Sequence, residues 1–238
     1  MCRDQYVMRR ILAIAVVVMC VISSFAQKDV TKFLGFPVDG TKSEMIKNLE
    51  SKGFKLTNTT DKNVLSGQFN GSDVLVFIVT ENDKVSRIAV VDNGKMNETD
   101  IRIRFNRLCS QFKDNGKYMS LKEDCTIPEG EDISYGMIIR NKRYEACFFQ
   151  LPDEDVMEQM QNDIVKEILS KYTPEQIGSL STEAYNDLIS SASTTLRDRI
   201  AESIKNKSVW LMISEMDGEY YITILYDNEY NRAKGEDL

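Results

Sequence analysis

Residues 63–93 read NVLSGQFNGSDVLVFIVTENDKVSRIAVVDN, and this stretch limits the fold more than any other. Leu65, Gly67 and Phe69 alternate with polar positions, the period-2 signature of a strand with one face inward. Asn70-Gly71 follows. Both central residues of a two-residue hairpin turn need positive φ, which Asn and Gly adopt at little cost. Val74 to Val79 is apolar throughout, which predicts a central strand covered on both faces. Glu81 to Lys84 then turns the chain into Val85 to Val91. The result is a three-stranded antiparallel meander.

Helices flank it. Thr41 with Glu44 three residues on is a capping box, followed by Met45, Ile46 and Leu49 and stopped by Gly53. Gly40 and Gly53 of FLGFPVDGTKSEMIKNLESKGF thus punctuate a helix. A phosphate loop would need more glycines and a Lys-Ser/Thr pair. Asp39-Gly40-Thr41 also has the wrong order for an aspartic-protease Asp-Thr-Gly. Further on, Ile101, Phe105, Leu108, Cys109 and Phe112 fall on one helical face. Arg102, Arg104 and Arg107 point away from that stripe, to solvent or to acidic neighbours.

A second hairpin is expected within ISYGMIIRNKRYEACFFQ, turning near Asn141 and Lys142. Residues 153–206 then lack any strand signal. Met157, Met160, Ile164, Ile168 and Tyr172 fit one helix. Thr173-Pro174-Glu175-Gln176 starts a second, with proline at its first position. Ser181 caps a third, carrying Leu188, Ala192, Leu196, Ile200 and Ile204. The last unit, VWLMISEMDGEYYITILYDN, turns at Asp217-Gly218. The two-residue register sets Trp210, Met212 and Ser214 opposite Leu225, Thr223 and Tyr221. The fold class is α+β: antiparallel hairpins forming one or two sheets covered by helices. Residues 27–238 form the globular region, and 153–206 are a helical insertion in it.

The first residues have the layout of a secretory signal peptide. Arg9 and Arg10 precede the apolar run Ile11 to Ile22, and Ser24-Phe25-Ala26 sets small residues before Gln27. The run is about 12 residues, against about 20 for a membrane span, so cleavage is expected between Ala26 and Gln27. A retained anchor helix and a lipid on Cys20 are the other readings; Met19, just before Cys20, is larger than a lipobox accepts. The expected location is periplasmic or extracellular, with no membrane span in the mature chain. The net charge is −7, and removing residues 1–26 takes away Arg3, Arg9, Arg10 and Asp4. An acidic surface argues against nucleic acid and anionic lipid as partners.

The chain has no histidine. Ser-His-Asp and Cys-His nucleophile systems are thereby excluded, and most zinc sites with them. No cofactor or metal motif is present. Three cysteines follow residue 26: Cys109, Cys125 and Cys147. They are either three inert buried thiols or one bridged pair and one thiol, Cys109–Cys125 being the candidate disulfide and Cys147 the alternative partner. Ser110 and Lys113 match a Ser-x-x-Lys spacing without its companion triplets. Asp153, Glu154 and Asp155 suit a helix N-terminus. Glu81, Asp83, Asp227 and Glu229 read as turn residues rather than a Ca²⁺ loop. Tyr220, Tyr221, Tyr226 and Tyr230 cluster near the end and form the candidate recognition surface, although strand alternation buries Tyr220 or Tyr221 but not both.

FLGFPVDGTKSEMIKNLESKGF, SGQFNG, ETDIRIRFNRLCSQF and ITILYDNEYNRAKGEDL together resemble a group of exported bacterial proteins of unassigned function. The resemblance covers most of the region after residue 26 except about 153–206. It implies export and a shared fold. From Gly40 to about Asp92 the chain also resembles β-lactamase-inhibitor-like and outer-membrane-lipoprotein-like modules, which open with a Gly-Thr-capped helix and an antiparallel meander. Two function classes follow: a non-enzymatic exported module binding a protein or glycan, and a carboxylate-based hydrolase acting on envelope or dietary polymers. Two acids facing each other in a deep cleft would mark the hydrolase.

Overall fold

The computed structural model describes residues 29–57 and 64–232; Ala26, Gln27 and the whole export segment lie outside the described residues. Ten strands are formed: β1 Lys32–Phe33, β2 Phe36–Pro37, β3 Lys55–Leu56, β4 Val64–Phe69, β5 Ser72–Glu81, β6 Lys84–Asp92, β7 Tyr118–Ser120, β8 Glu145–Gln150, β9 Ser208–Met216 and β10 Glu219–Asp227. The helices are α1 Lys42–Ser51, α2 Glu98–Asp114, α3 Ile133–Ile138, α4 Glu154–Lys171, α5 Pro174–Gly178 and α6 Thr182–Ile204. β1 and β2 pair alone. The other strands make one eight-stranded sheet, antiparallel throughout, in the order β3-β4-β5-β6-β10-β9-β8-β7.

That order divides the sheet into two halves. α1 precedes β3–β6, and α2 precedes β7–β10, so each half is a helix followed by four strands. The halves meet where β6 pairs with β10, Ala89 opposite Leu225. α1 buries Met45 and Leu49; α2 buries Ile101, Phe105, Leu108, Cys109 and Phe112, the predicted stripe. Both join one core with Val76, Ile88, Leu211 and Ile224, so both helices lie on the same face of the sheet.

Local chemistry fixes the elements. Thr41 and Glu44 form the capping box expected of them, and Gly53 has φ 92° at the end of α1. Asn70-Gly71, Asn82-Asp83 and Asp217-Gly218 all have positive φ and close the three main hairpins. The β9–β10 register is the one read from the sequence, Trp210 opposite Leu225 and Ser214 opposite Tyr221. Gly67 has no side chain because the Phe54 ring lies over it: a Cβ there would meet Phe54 Cδ1 at 2.5 Å.

Three expectations need correction. Residues 133–138 are a helix, not a hairpin strand. Asp132 accepts a hydrogen bond from the Tyr135 amide, and Gly136 leaves room for the Tyr144 hydroxyl, so capping and packing override the apolar run. The segment before α1, for which no strand is expected, forms the β1–β2 hairpin and turns at Leu34-Gly35, both with positive φ. The Val74–Val79 strand is covered on one face only, since Val74, Val76 and Ile78 are buried while Phe77 is 36% and Val79 40% exposed.

The insertion is an antiparallel pair of long helices, α4 and α6, linked by α5. Its capping matches the sequence: Thr173 and Gln176 form a capping box with Pro174 at the start, and Ser181 caps α6. The arm leaves the sheet at β8 and returns at β9, whose ends are already neighbours, the Gln150 amide donating to the Lys207 carbonyl at 3.0 Å. Only Ile164 in α4 and Ile204 in α6 are buried. Excising residues 162–197 and joining the stubs with Gly-Ser should therefore leave the sheet folded. Its unfolding free energy should move by no more than about 1–2 kcal/mol. Urea unfolding followed by near-UV circular dichroism checks this, and loss of the cooperative transition would make the arm part of the core.

Candidate functional site

The exposed Phe77 and Val79 lead to the face that no helix of the described residues covers. Strand alternation carries them to one side, and the registers connect them to neighbours across the sheet. Val64, Phe77, Ala89, Leu225, Trp210 and Cys147 are directly opposite one another in turn, one residue from each of β4, β5, β6, β10, β9 and β8. A second row runs Ser66, Leu75, Val91, Thr223, Met212 and Glu145. Leu75, Ala89, Val91, Trp210, Met212 and Leu225 are all partly exposed. The first row spans five strand spacings of about 4.8 Å, roughly 24 Å.

Polar pairs bound these rows. At one end Gln68 pairs with Asp73. At the other, Arg87 lies opposite Asp227 and grips it with two hydrogen bonds. That carboxylate, almost wholly buried, holds the guanidinium pKa above its ordinary value through the direct bond. Ser214 and Thr223 share a hydroxyl–hydroxyl bond of 3.3 Å beside Tyr221. An apolar centre with aromatic and Met side chains and a polar rim is the anatomy of a protein interface.

The four candidate tyrosines do not form one surface. Tyr221 is on the open face. Tyr220 is 2% exposed on the opposite face and shares a 2.5 Å bond with the Ser134 hydroxyl. Tyr226 is buried with Phe33, their ring centroids 4.9 Å apart, and burial pushes its pKa well up. Tyr230 lies beyond β10 and lines a groove at the base of the arm. Alternation along β10 separates Tyr220 and Tyr226 from Tyr221, as a period of two requires.

The other candidates have structural partners. Ser110 donates to the Asn106 carbonyl and Lys113 to that of Glu123. Asp153 is ion-paired with Lys32, and Glu229 with Arg232. Cys109, Cys125 and Cys147 are free thiols. Cys109 Sγ donates to the Cys125 carbonyl at 3.9 Å. Burial raises the Cys109 pKa to about 12 and that of Cys147 to about 11, which keeps both thiols protonated and unreactive near neutral pH. Among the described residues no group of three His, Cys, Asp or Glu side chains is disposed to hold a metal ion, and no helix is long and apolar enough to cross a membrane.

Comparison with protein-family models, with curated proteins and with solved structures finds no match for the chain. The rows on the open face were not singled out from the sequence. Their signal was the unbroken run Val74–Val79 together with Trp210 set opposite Leu225.

Proposed function

We propose that the chain is an exported, non-enzymatic binding protein whose open sheet face receives a protein partner. The observation that carries this reading is the apolar patch left uncovered across β5, β6, β10 and β9, with Phe77, Trp210, Met212 and Leu225 near the centre. Burying such a face against a partner is worth about 25 cal/mol per Å² of apolar surface, and a standard interface takes about 800 Å² on each side. Export is supported by Arg9-Arg10, the run Ile11 to Ile22 and Ser24-Phe25-Ala26. A hydrolase would need two acids facing one cleft. Asp153, Glu154, Asp155 and Glu158 line one groove at the start of α4, but Asp153 is tied to Lys32, and Glu154 and Asp155 sit in the first turn of α4, where its dipole favours them.

The test uses a photo-crosslinking residue placed at Phe77, at Met212 and, as a control, at Glu50 on the solvent side of α1. Adducts of one mass should form from the two face positions and not from the control. Trp210 is the chain's single tryptophan, so its emission should change when the captured partner is added back. Trp210→Ala should weaken that binding by about 30-fold or more, the cost of losing an aromatic hot spot. Equal labelling at all three positions, or undiminished binding by the alanine variant, would remove the sheet face from the proposal.

A further inference from the structure

A cavity of about 690 Å³ opens between the last turn of α2, β7 and the β1–β2 hairpin, away from the rows described above. Its walls are aromatic. Phe33, Phe112 and Tyr226 are almost wholly buried there. Ring contacts hold them in place: Phe112 stacks on Phe148 at 4.7 Å and meets the edge of Tyr118 at 4.9 Å. The walls are thus formed before any ligand arrives.

Polar groups converge on the same space. Gln150 accepts from the Lys32 amide at 2.6 Å, which fixes its oxygen and turns its nitrogen to donate to the Tyr118 hydroxyl at 3.3 Å. The enclosed Tyr226 hydroxyl lies beside the Tyr118 hydroxyl and interacts with it. Tyr118 Oη is thus held at the cavity wall by Gln150, with its hydroxyl available to a ligand. At the rim, the side-chain amides of Asn70 and Gln111 make no hydrogen bond among the described residues. Each amide both donates and accepts.

The backbone at the mouth is strained. Leu34 is held at φ 53°, where the other hairpins have Asn70, Asn82 and Asp217. A leucine in that region costs about 1–2 kcal/mol, and strain of this kind gathers at ligand sites. The charge environment is close to neutral. Lys32 is paired with Asp153, leaving Lys117. The carbonyl end of α2, through Gln111, Phe112 and Asn115, faces the cavity, and its partial negative charge disfavours an anion.

We propose that this cavity binds a neutral hydroxylated ring, one sugar unit of a glycan. The apolar face of the ring lies against Phe112 and Tyr118. Its hydroxyls, each a donor and an acceptor, bond to the Tyr118 hydroxyl and to the amides of Gln111 and Asn70. A purely apolar ligand would leave the two amides without partners, at a cost for each. A phosphorylated ligand would meet the wrong end of a helix.

The experiment titrates the protein from residue 27 onward with neutral monosaccharides and disaccharides, a uronic acid, a sugar phosphate and an apolar dye, read by calorimetry and ligand-observed NMR. A neutral saccharide should bind more tightly than its acidic and phosphorylated counterparts. Gln111→Ala, an exposed change that leaves the fold alone, should weaken it about three- to tenfold, and Tyr118→Phe by a similar factor. Trp210→Ala on the open sheet face should leave saccharide binding unchanged, so this site and the protein-binding face succeed or fail separately. Binding of the dye alone, preference for the phosphate, or saccharide affinity indifferent to both cavity variants would each overturn the proposal.

Discussion

Replacing Arg104 by alanine is expected to lower the unfolding free energy by about 3–5 kcal/mol, the cost of leaving a buried charge without its partner. Arg104 projects from α2 into the protein with a side chain 5% exposed, and Asp92 at the end of β6 is 3% exposed. Two hydrogen bonds join them, Nε to Oδ2 at 3.2 Å and Nη2 to Oδ1 at 2.9 Å. The remaining Nη1 donates to the Asn70 carbonyl at 3.1 Å, inside the β4–β5 turn. One side chain therefore ties the helix of the second half to the strands of the first. Alanine would strand the Asp92 carboxylate and that carbonyl together. The double variant Arg104→Met with Asp92→Leu should recover much of the loss, because it leaves no charge behind. Urea midpoints at constant slope measure both. A single-variant loss below about 1 kcal/mol would mean that water already reaches the pair.

The sequence spoke clearly wherever short-range chemistry decides the outcome. Asn70-Gly71 and Asp217-Gly218 admit few turns, and once the turn is fixed the register of β9 on β10 follows residue by residue. Thr41 with Glu44 and Thr173 with Gln176 name the first residues of their helices, and the structure forms both boxes. The stripe of α2 was legible because five apolar residues at helical spacing have one way to be buried. Arg104 was harder. Its spacing relative to Phe105 directed it off the stripe, and only Asp92 and Asn70, brought near by the sheet, give it an interior place.

What decides the candidate site is long-range. A strand with apolar residues on both faces reads the same whether its second face meets helices or nothing, so Val74–Val79 suggested a layer that is absent from the described residues. The two helices that could have covered it both follow their strand neighbours onto one side. The tyrosines failed for the same reason in reverse: closeness in sequence is separation in a strand, where Tyr220 and Tyr221 look to opposite faces. Leu34-Gly35 was missed because leucine is a poor turn residue, and its tolerance there comes from contacts that the sequence does not display. Misreadings at Phe77 and at Leu34 fall on the two surfaces to which binding is assigned, as expected where local preference is overruled for another purpose.

Phe33→Ala carries the other large expected effect, about 3–5 kcal/mol of lost stability from a vacated aromatic site. Phe33 is 1% exposed. Its ring lies 5.4 Å from Phe69 and 6.4 Å from Phe54, both in the first half of the sheet, and 4.9 Å from Tyr226 in the second. Its hairpin is fastened mainly to the second half. The Gln150 amide bonds both backbone groups of Lys32, the Thr31 hydroxyl donates to the Asp227 carbonyl, and Asn228 donates to the Val38 carbonyl at 2.7 Å. Those bonds survive the alanine substitution, so the hairpin should stay attached to β10 while its grip on Phe54 and Phe69 is lost. Hydrogen exchange should accordingly quicken in β3 and β4 more than in β9 and β10. The cavity beside Tyr118 loses a wall, and saccharide binding should fall with it. Phe33→Leu, which keeps most of the volume, should retain more of both stability and binding. Uniform loss of protection across all eight strands would mean that Phe33 belongs to a single undivided core rather than to the seam between two halves.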